Sequence, residues 1–227
     1  MSKEQINLPK TAFSMKANLP TREPEILELW KKIDLYKELR NSRKGKEKFV
    51  LHDGPPYANG NIHLGHLLNK VLKDFVVRSQ FSLGKCCKFI PGWDCHGLPI
   101  EHKVMQQLTE TDQFKSIKQL PLDEQKLAVR KACATFAKTY IKLQSKEMQS
   151  LLTLANYEKP YLTMIKSYEA ETLRVFKQLI NQNLVFRQLK PVHWSIANQT
   201  ALADAELEYY DKTDLSVYVA FHLIQND

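Results

Sequence analysis

Residues 54–66 read Gly-Pro-Pro-Tyr-Ala-Asn-Gly-Asn-Ile-His-Leu-Gly-His and follow directly on the apolar run Phe49-Val50-Leu51. The run reads as a short buried strand, Phe49–His52, and the Gly/Pro stretch after it reads as a loop joining that strand to a helix. The helical pattern spans about Leu64 to Gln80. Its core face is predicted to be Leu68, Val71, Leu72 and Phe75, with Asn69, Lys70, Lys73 and Asp74 facing outward. Gly84 is a plausible stop. Lys88-Phe89-Ile90 reads as a second strand, ended by Pro91-Gly92. Strand, helix, strand in this span is a βαβ unit, so the two strands are expected to pair in parallel. That places the chain in the α/β class.

Elsewhere the pattern is mostly helical. Residues 1–23 read as irregular, and a first helix follows Thr21 and Pro24 with Ile26, Leu29, Trp30 and Ile33 on one face. Arg40–Lys48 reads as a basic, solvated linker. A long helix is predicted over 122–152, with Val129, Cys133, Phe136, Tyr140 and Leu143 recurring at steps of four and three. Pro160 breaks that pattern. Another helix starts near Ser167 as N-cap, with Leu173, Phe176 and Ile180 as its stripe. Val185-Phe186, Val192–Trp194 and the alternating Val217, Val219, Phe221 and Leu223 read as strands. There is no internal repeat and no low-complexity segment.

A chain of 227 residues with 43% hydrophobic residues can bury a sizeable core. The formal charge of +8 permits a polyanionic partner without demanding one. The cysteines at 86, 87, 95 and 133 form no C-x-x-C pair and read as free thiols in a reducing compartment. The start, Met-Ser-Lys-Glu-Gln, lacks a signal peptide's apolar core, and no apolar run approaches a membrane span. A cytoplasmic location with no membrane partner is expected.

In a doubly wound fold, ligands collect where strands end and helices begin, and the Gly54–Gly60 loop lies there. Glycine lets a backbone approach a phosphate or a base closely. The helix start near Ile62–Leu64 offers unpaired N–H groups and the positive dipole end. His63 and His66, at i and i+3, share a face of the first turn, and each can donate to a phosphate oxygen. Other readings stay open: H-x-x-H as half of a metal site, though no third ligand is near, ordinary helix-start histidines, or a plain Pro/Gly turn. Pro91–Glu101 closes the second strand of the same unit and should lie beside the first loop. In it Asp94 can accept from an ammonium group and Trp93 can wall an apolar pocket. A capping aspartate and a core tryptophan are the bland alternatives. A dehydrogenase-type dinucleotide domain is excluded, because no G-x-G-x-x-G follows the first strand.

At these two segments the chain resembles the class I aminoacyl-tRNA synthetases, and within them the bacterial-type isoleucyl family. His63-Leu64-Gly65-His66 is a form of that family's HIGH signature. The longer GPPYANG-x-IH-x-GH and PGWDCHGLPIEHK strings separate it from the valyl and leucyl relatives. Asn7–Thr11, Pro160–Met164, Lys190–Trp194 and Ala201–Glu206 add support. The resemblance implies the N-terminal half of a Rossmann-type parallel-sheet catalytic domain at 48–194. It also implies a helical N-terminal arm at 1–47 and the start of a β-rich editing insertion at 195–227. The implied chemistry is ATP-dependent activation of L-isoleucine, with magnesium, and transfer to tRNA(Ile) by an enzyme that is usually monomeric.

By the same resemblance His63 and His66 are catalytic. ATP would be held by Pro56, Tyr57, Ala58, Asn59, Gly60, Asn61, Ile62, His63, Leu64, Gly65 and His66, with Gly65 against adenine. Pro55, Trp93 and Asp94 would hold the amino acid, Asp94 on its ammonium group. No K-M-S-K-S string occurs, and the second half of the nucleotide fold and the anticodon-binding domain are not represented, so the chain is expected not to aminoacylate tRNA alone and to need the missing C-terminal part. Where many bacterial members carry a zinc-binding C-x-x-C after Trp194, this chain has Ser195 and Asn198, so no metal is expected there. Leu154-Ala155-Asn156-Tyr157 replaces the usual L-G-D-W. The competing functional class is a non-catalytic nucleotide- or RNA-binding module derived from a synthetase.

Overall fold

A computed structural model of the chain describes Ala12 and residues 16–222; the Asn7–Thr11 string and Leu223 lie outside the described residues. Helix α1 (Leu19–Ile33) starts before the expected Thr21–Pro24 boundary, because Pro20 suits a first helical turn, whose N–H groups have no partner anyway. Its half-buried residues are Ile26, Leu27 and Trp30, whereas Leu29 and Ile33 are exposed. A left-handed Asp34 (φ 48°) turns the chain into α2 (Leu35–Ser42), so the basic linker is shorter than the sequence suggests.

Strand β1 (Lys48–His52) leads through the loop to α3 (Leu64–Ser82) and then to β2 (Cys86–Ile90). The strands pair in parallel from Lys48↔Cys86 to His52↔Ile90, which is the βαβ unit expected. The outer edge of β2 is blunted by Tyr36. Its hydroxyl donates to the Phe89 carbonyl and accepts from the Phe89 amide, both at 2.9 Å. Gly92–Trp93 forms β3, a short strand rather than only a strand terminator.

The buried face of α3 differs from the one predicted, although Asn69 is exposed as expected and Val71 is half-buried. Lys70, Asp74, Val77 and Phe81 are buried, whereas Leu68, Leu72 and Phe75 are 63%, 53% and 62% exposed. Specific partners for the charges outweigh the apolar stripe. Asp53, at the end of β1, takes Lys70, and Asp74 accepts from Arg78 and from the Leu154 amide at 2.7 Å.

Two helices follow in a stretch where the sequence suggested no element, α4 (Leu98–Glu110) and α5 (Gln113–Lys118), then the long α6 (Leu122–Ser150). A core of Ala58, Trp93, Ile100, Val104, Leu108, Ala137 and Met148 joins α4 and α6 to β3 and the loop. A second core, Val77, Phe81, Cys87, Phe89, Leu154 and Ala155, lies under the βαβ unit. Leu154–Tyr157, the departure noted above, thus supplies packing there. Asn156 N–H donates to the Phe89 carbonyl at 3.1 Å. Strand β4 (Tyr161–Leu162) pairs in parallel with β3. In α7 (Lys166–Asn181), Ser167 is a helical residue and not the N-cap.

The chain divides into a unit reaching Lys177 and one from Gln178 onward. In the latter β5 (Trp194–Ser195) and β6 (Thr200–Ala201) make an antiparallel hairpin. The strands expected at 185–186 and over 217–222 are absent among the described residues. An alternating apolar pattern forms a ladder only where a neighbour supplies the other half of the hydrogen bonds, and these segments have none.

Candidate functional site

Asp53 sets the geometry at the mouth of β1. It is fully buried, and its two oxygens take Lys70 Nζ at 2.6 Å and Lys73 Nζ at 2.5 Å. The Gly92 amide donates to the same carboxylate at 3.1 Å. One side chain therefore ties the end of β1 to α3 and to β3. Burial pushes the Lys70 ammonium below its ordinary pKa, and Asp53 opposes that shift. From β4 the Tyr161 hydroxyl donates to the Asp53 carbonyl. The Tyr161 ring lies flat over Gly92, where a Cβ would fall 2.0 Å from its Cζ, so only glycine fits. His52 and Tyr168 each stack near-parallel to it, at 5.7 and 6.0 Å between centroids.

The loop is anchored along its length. Tyr57 and Asp94 form a parallel bridge: the Ala58 amide donates to the Asp94 carbonyl at 3.0 Å, and the Asp94 amide to the Pro56 carbonyl at 2.9 Å. From α6 the Gln144 amide donates to the Tyr57 and Gly60 carbonyls at 3.1 and 2.7 Å, while its oxygen accepts from Trp93 Nε1 at 2.9 Å. One turn further, the Glu147 carboxylate accepts from Asn61 Nδ2 at 2.6 Å and from the Ile62 amide at 2.9 Å. Preorganisation of this kind lowers the ordering cost of any ligand that the loop receives.

The loop hands over to α3 through the two histidines. His63 is the N-cap; its Nδ1 accepts from the Gly65 amide at 3.1 Å, and His66 Nδ1 accepts from the His63 amide at 3.3 Å. The pair is a histidine version of a capping box. An accepting Nδ1 carries no proton, so each neutral ring keeps its proton on Nε2, where it can donate to an anion. The ring centroids are 4.0 Å apart. Partial burial lowers the His66 pKa first, and the neighbouring His63 and Lys70 lower it further. Gly65 has its own reason here: a Cβ would stand 2.9 Å from His63 Cε1, inside the ring that caps the helix.

The residues singled out from the sequence divide into three groups. Pro55, Pro56, Asn59, Gly60 and Ile62 are half-buried in the loop, and Ala58 is fully buried beneath it. Tyr57, Asn61, His63, Leu64 and Gly65 are exposed at its outer surface, with His66 half-buried behind them. Asp94 is half-buried beside the loop, and its Oδ1 accepts from the His96 amide at 3.2 Å and lies 3.4 Å from Thr163 Oγ1. Trp93 is enclosed in the core, so the packing alternative describes it better than a pocket wall does. The sequence pattern does not mark Asp53, Gln144, Glu147 or Tyr161 as site residues. Gln144 and Glu147 sit among other polar residues at the end of α6, so nothing in the pattern there singles them out. Ser195 lies in the β5–β6 hairpin, where its Oγ accepts from the Asn198 amide at 3.3 Å. Among the described residues no three His, Cys, Asp or Glu side chains cluster as metal ligands, and no helix is long and apolar enough to cross a membrane.

The profile of the tRNA synthetases class I (I, L, M and V) matches residues 25–223. The isoleucine--tRNA ligase of Persephonella marina is 51% identical over 224 residues, which are 99% of this chain and 23% of that protein. The ligase of the same name from Pelagibacter ubique is 52% identical over 97% of this chain and 24% of its own length. That of Aquifex aeolicus is 50% identical over 97% and 22%. The chain therefore spans less than a quarter of the length of these curated relatives. Among solved structures, LeuRS from Agrobacterium radiobacter K84, in a ternary complex with tRNA and LeuAMS, superimposes with a TM-score of 0.60. That match covers 84% of this chain and 21% of the other at 22% identity, a likeness of fold alone.

Proposed function

The chain belongs to the class I tRNA synthetases, and on that premise we propose that it forms the nucleotide-facing part of an isoleucine--tRNA ligase. Such an enzyme joins L-isoleucine to ATP as isoleucyl-adenylate and passes the isoleucyl group to tRNA(Ile). The observation that carries this reading is the Tyr57–Asp94 bridge, which holds the histidine loop against the segment bearing Asp94.

The isoleucine carboxylate attacks the α-phosphorus, a C–O–P link forms, and the bond to the β-phosphate breaks with release of pyrophosphate. Charge grows on phosphate oxygens in the transition state, so positioned donors suffice and no covalent enzyme intermediate is needed. His63 and His66 would donate Nε2–H to those oxygens. The loop backbone from Pro56 to Ile62 and the face at Leu64 and Gly65 would receive the nucleotide. Asp94 would hold the substrate ammonium through Oδ2, which has no protein partner among the described residues, with Pro55 beside the amino acid. Magnesium would enter on the ATP phosphates as part of the substrate. The domain division at 1–47, 48–194 and 195–227 belongs to the same proposal, as does a cytoplasmic site of action, in keeping with four free cysteines.

The test replaces the matching segment of the Persephonella marina enzyme with this chain. Isoleucine-dependent ATP–pyrophosphate exchange is expected, and His66→Ala is expected to lower its rate by about 10²-fold or more. Exchange that ignores isoleucine, or a His66→Ala variant as fast as the parent, would overturn the proposal.

A further inference from the structure

A groove of about 970 Å³ opens between α1–α2, the turn into β1 and the Leu152–Lys159 segment, and it shares no residue with the Gly54–His66 loop. Its wall is strongly cationic. Lys31 and Lys37 are paired with Glu28 and Asp34 at 2.8 and 3.7 Å. Arg40, Lys44, Lys46, Lys48 and Lys159 also line it, and none has a carboxylate within ion-pair distance among the described residues; the acids on the wall are Asp34 and Glu158. Arg40 lies over the Tyr36 ring at 5.9 Å, and its Nε is buried with no hydrogen-bond partner among the described residues. Trp30, Tyr36 and Leu154 contribute the apolar part of the lining.

Like charges gathered in one concavity repel one another. A bound polyanion relieves that repulsion. The lysines recur at alternate positions, 44, 46 and 48, along an exposed turn and strand start, with Lys159 on another wall segment. That spread suits a series of phosphates better than a single one. We infer that this groove binds the phosphodiester backbone of an RNA strand, away from the histidine site. The inference rests on the family assignment and on these charges, and not on the adenylate chemistry.

The experiment measures the affinity of the 227-residue chain for a tRNA transcript by fluorescence anisotropy across salt concentrations. The triple variant Lys44→Gln, Lys46→Gln, Lys48→Gln is expected to bind at least about tenfold more weakly at moderate salt. The slope of log K against log salt should fall by about two to three, one phosphate contact per lysine. Lys159→Gln should lower that slope by about one. The charge-matched control Lys126→Gln, Lys131→Gln, Lys138→Gln on exposed positions of α6 should leave the slope unchanged, as should His66→Ala. Circular dichroism checks that each variant folds, and Lys159→Gln alone carries the test if the triple variant does not. Equal losses in the α6 control would mean general charge attraction and overturn the inference. Displacement of the RNA by millimolar ATP or pyrophosphate would assign the groove to small phosphates instead. Tighter binding of polyglutamate, sensitive to Lys44–Lys48, would assign it to an acidic protein.

Discussion

Both carboxylate oxygens of Asp53 are engaged, in a residue with no exposed surface, by two lysines and a backbone amide. Removing the carboxylate strands the buried Lys70 ammonium and frees the first turns of α3 from β3. Asp53→Ala is expected to cost about 3–5 kcal/mol in urea unfolding, the penalty for breaking a buried pair from one side. A loss under about 1 kcal/mol would mean that the lysines reach water. His66 carries a pH dependence whose sign follows from its lowered pKa. The folded state binds the proton less readily than the unfolded state does. The His66 contribution is therefore complete above the unfolded value of about 6.5 and is lost as pH falls through it toward the folded one. Protonated Nδ1 also cannot accept from the His63 amide, so the helix cap opens over the same range. Histidine resonances followed by NMR should place the His66 midpoint below that of the denatured chain; a midpoint at or above it would remove the cap as drawn.

At the scale of elements, α3 is the informative case. That a helix follows the loop was legible, because the Pro-Pro and Asn-Gly pairs stop before it and Gly65, in its first turn, is the one breaker residue within Leu64–Ser82. Which face it buries was not legible, because an apolar stripe is a statement about average partners. Lys70 and Asp74 found specific ones in Asp53, Arg78 and the Leu154 amide. The double variant Leu68→Gln, Leu72→Gln should leave unfolding free energy within about 0.5 kcal/mol of the parent per site. Phe81→Ala, in the second core, should cost about 3–5 kcal/mol. Reversed rankings would restore the stripe read from the sequence. The loop shows the same contrast: its place between β1 and α3 was readable, and its clamp by Gln144 and Glu147 was not.

In the molecule as a whole, order is uneven. In the unit from Gln178 onward, Phe186, Tyr218 and Phe221 are 75%, 100% and 89% exposed and belong to no element. Backbone without ladder or helix bonds opens at little cost, so limited chymotrypsin should cut at these positions before any site in the helices and strands between Leu19 and Lys177. First cleavage within α6 would contradict that order. What the sequence determined by itself was local. The βαβ order, the loop and the histidine pair follow from breakers, short apolar runs and motif spacing within about forty residues, and the family from short strings spread along the chain. The tertiary structure alone decided the long-range choices. Glu147 reaches back 86 residues to Asn61, and Tyr161 reaches back 108 residues to the Asp53 carbonyl. It also decided which alternating segments became strands. Hydrogen bonds and ion pairs between distant residues leave no period in the sequence, since a carboxylate or an amide reads the same in solvent as in a clamp. A strand pattern likewise becomes a strand only where the fold brings it a neighbour.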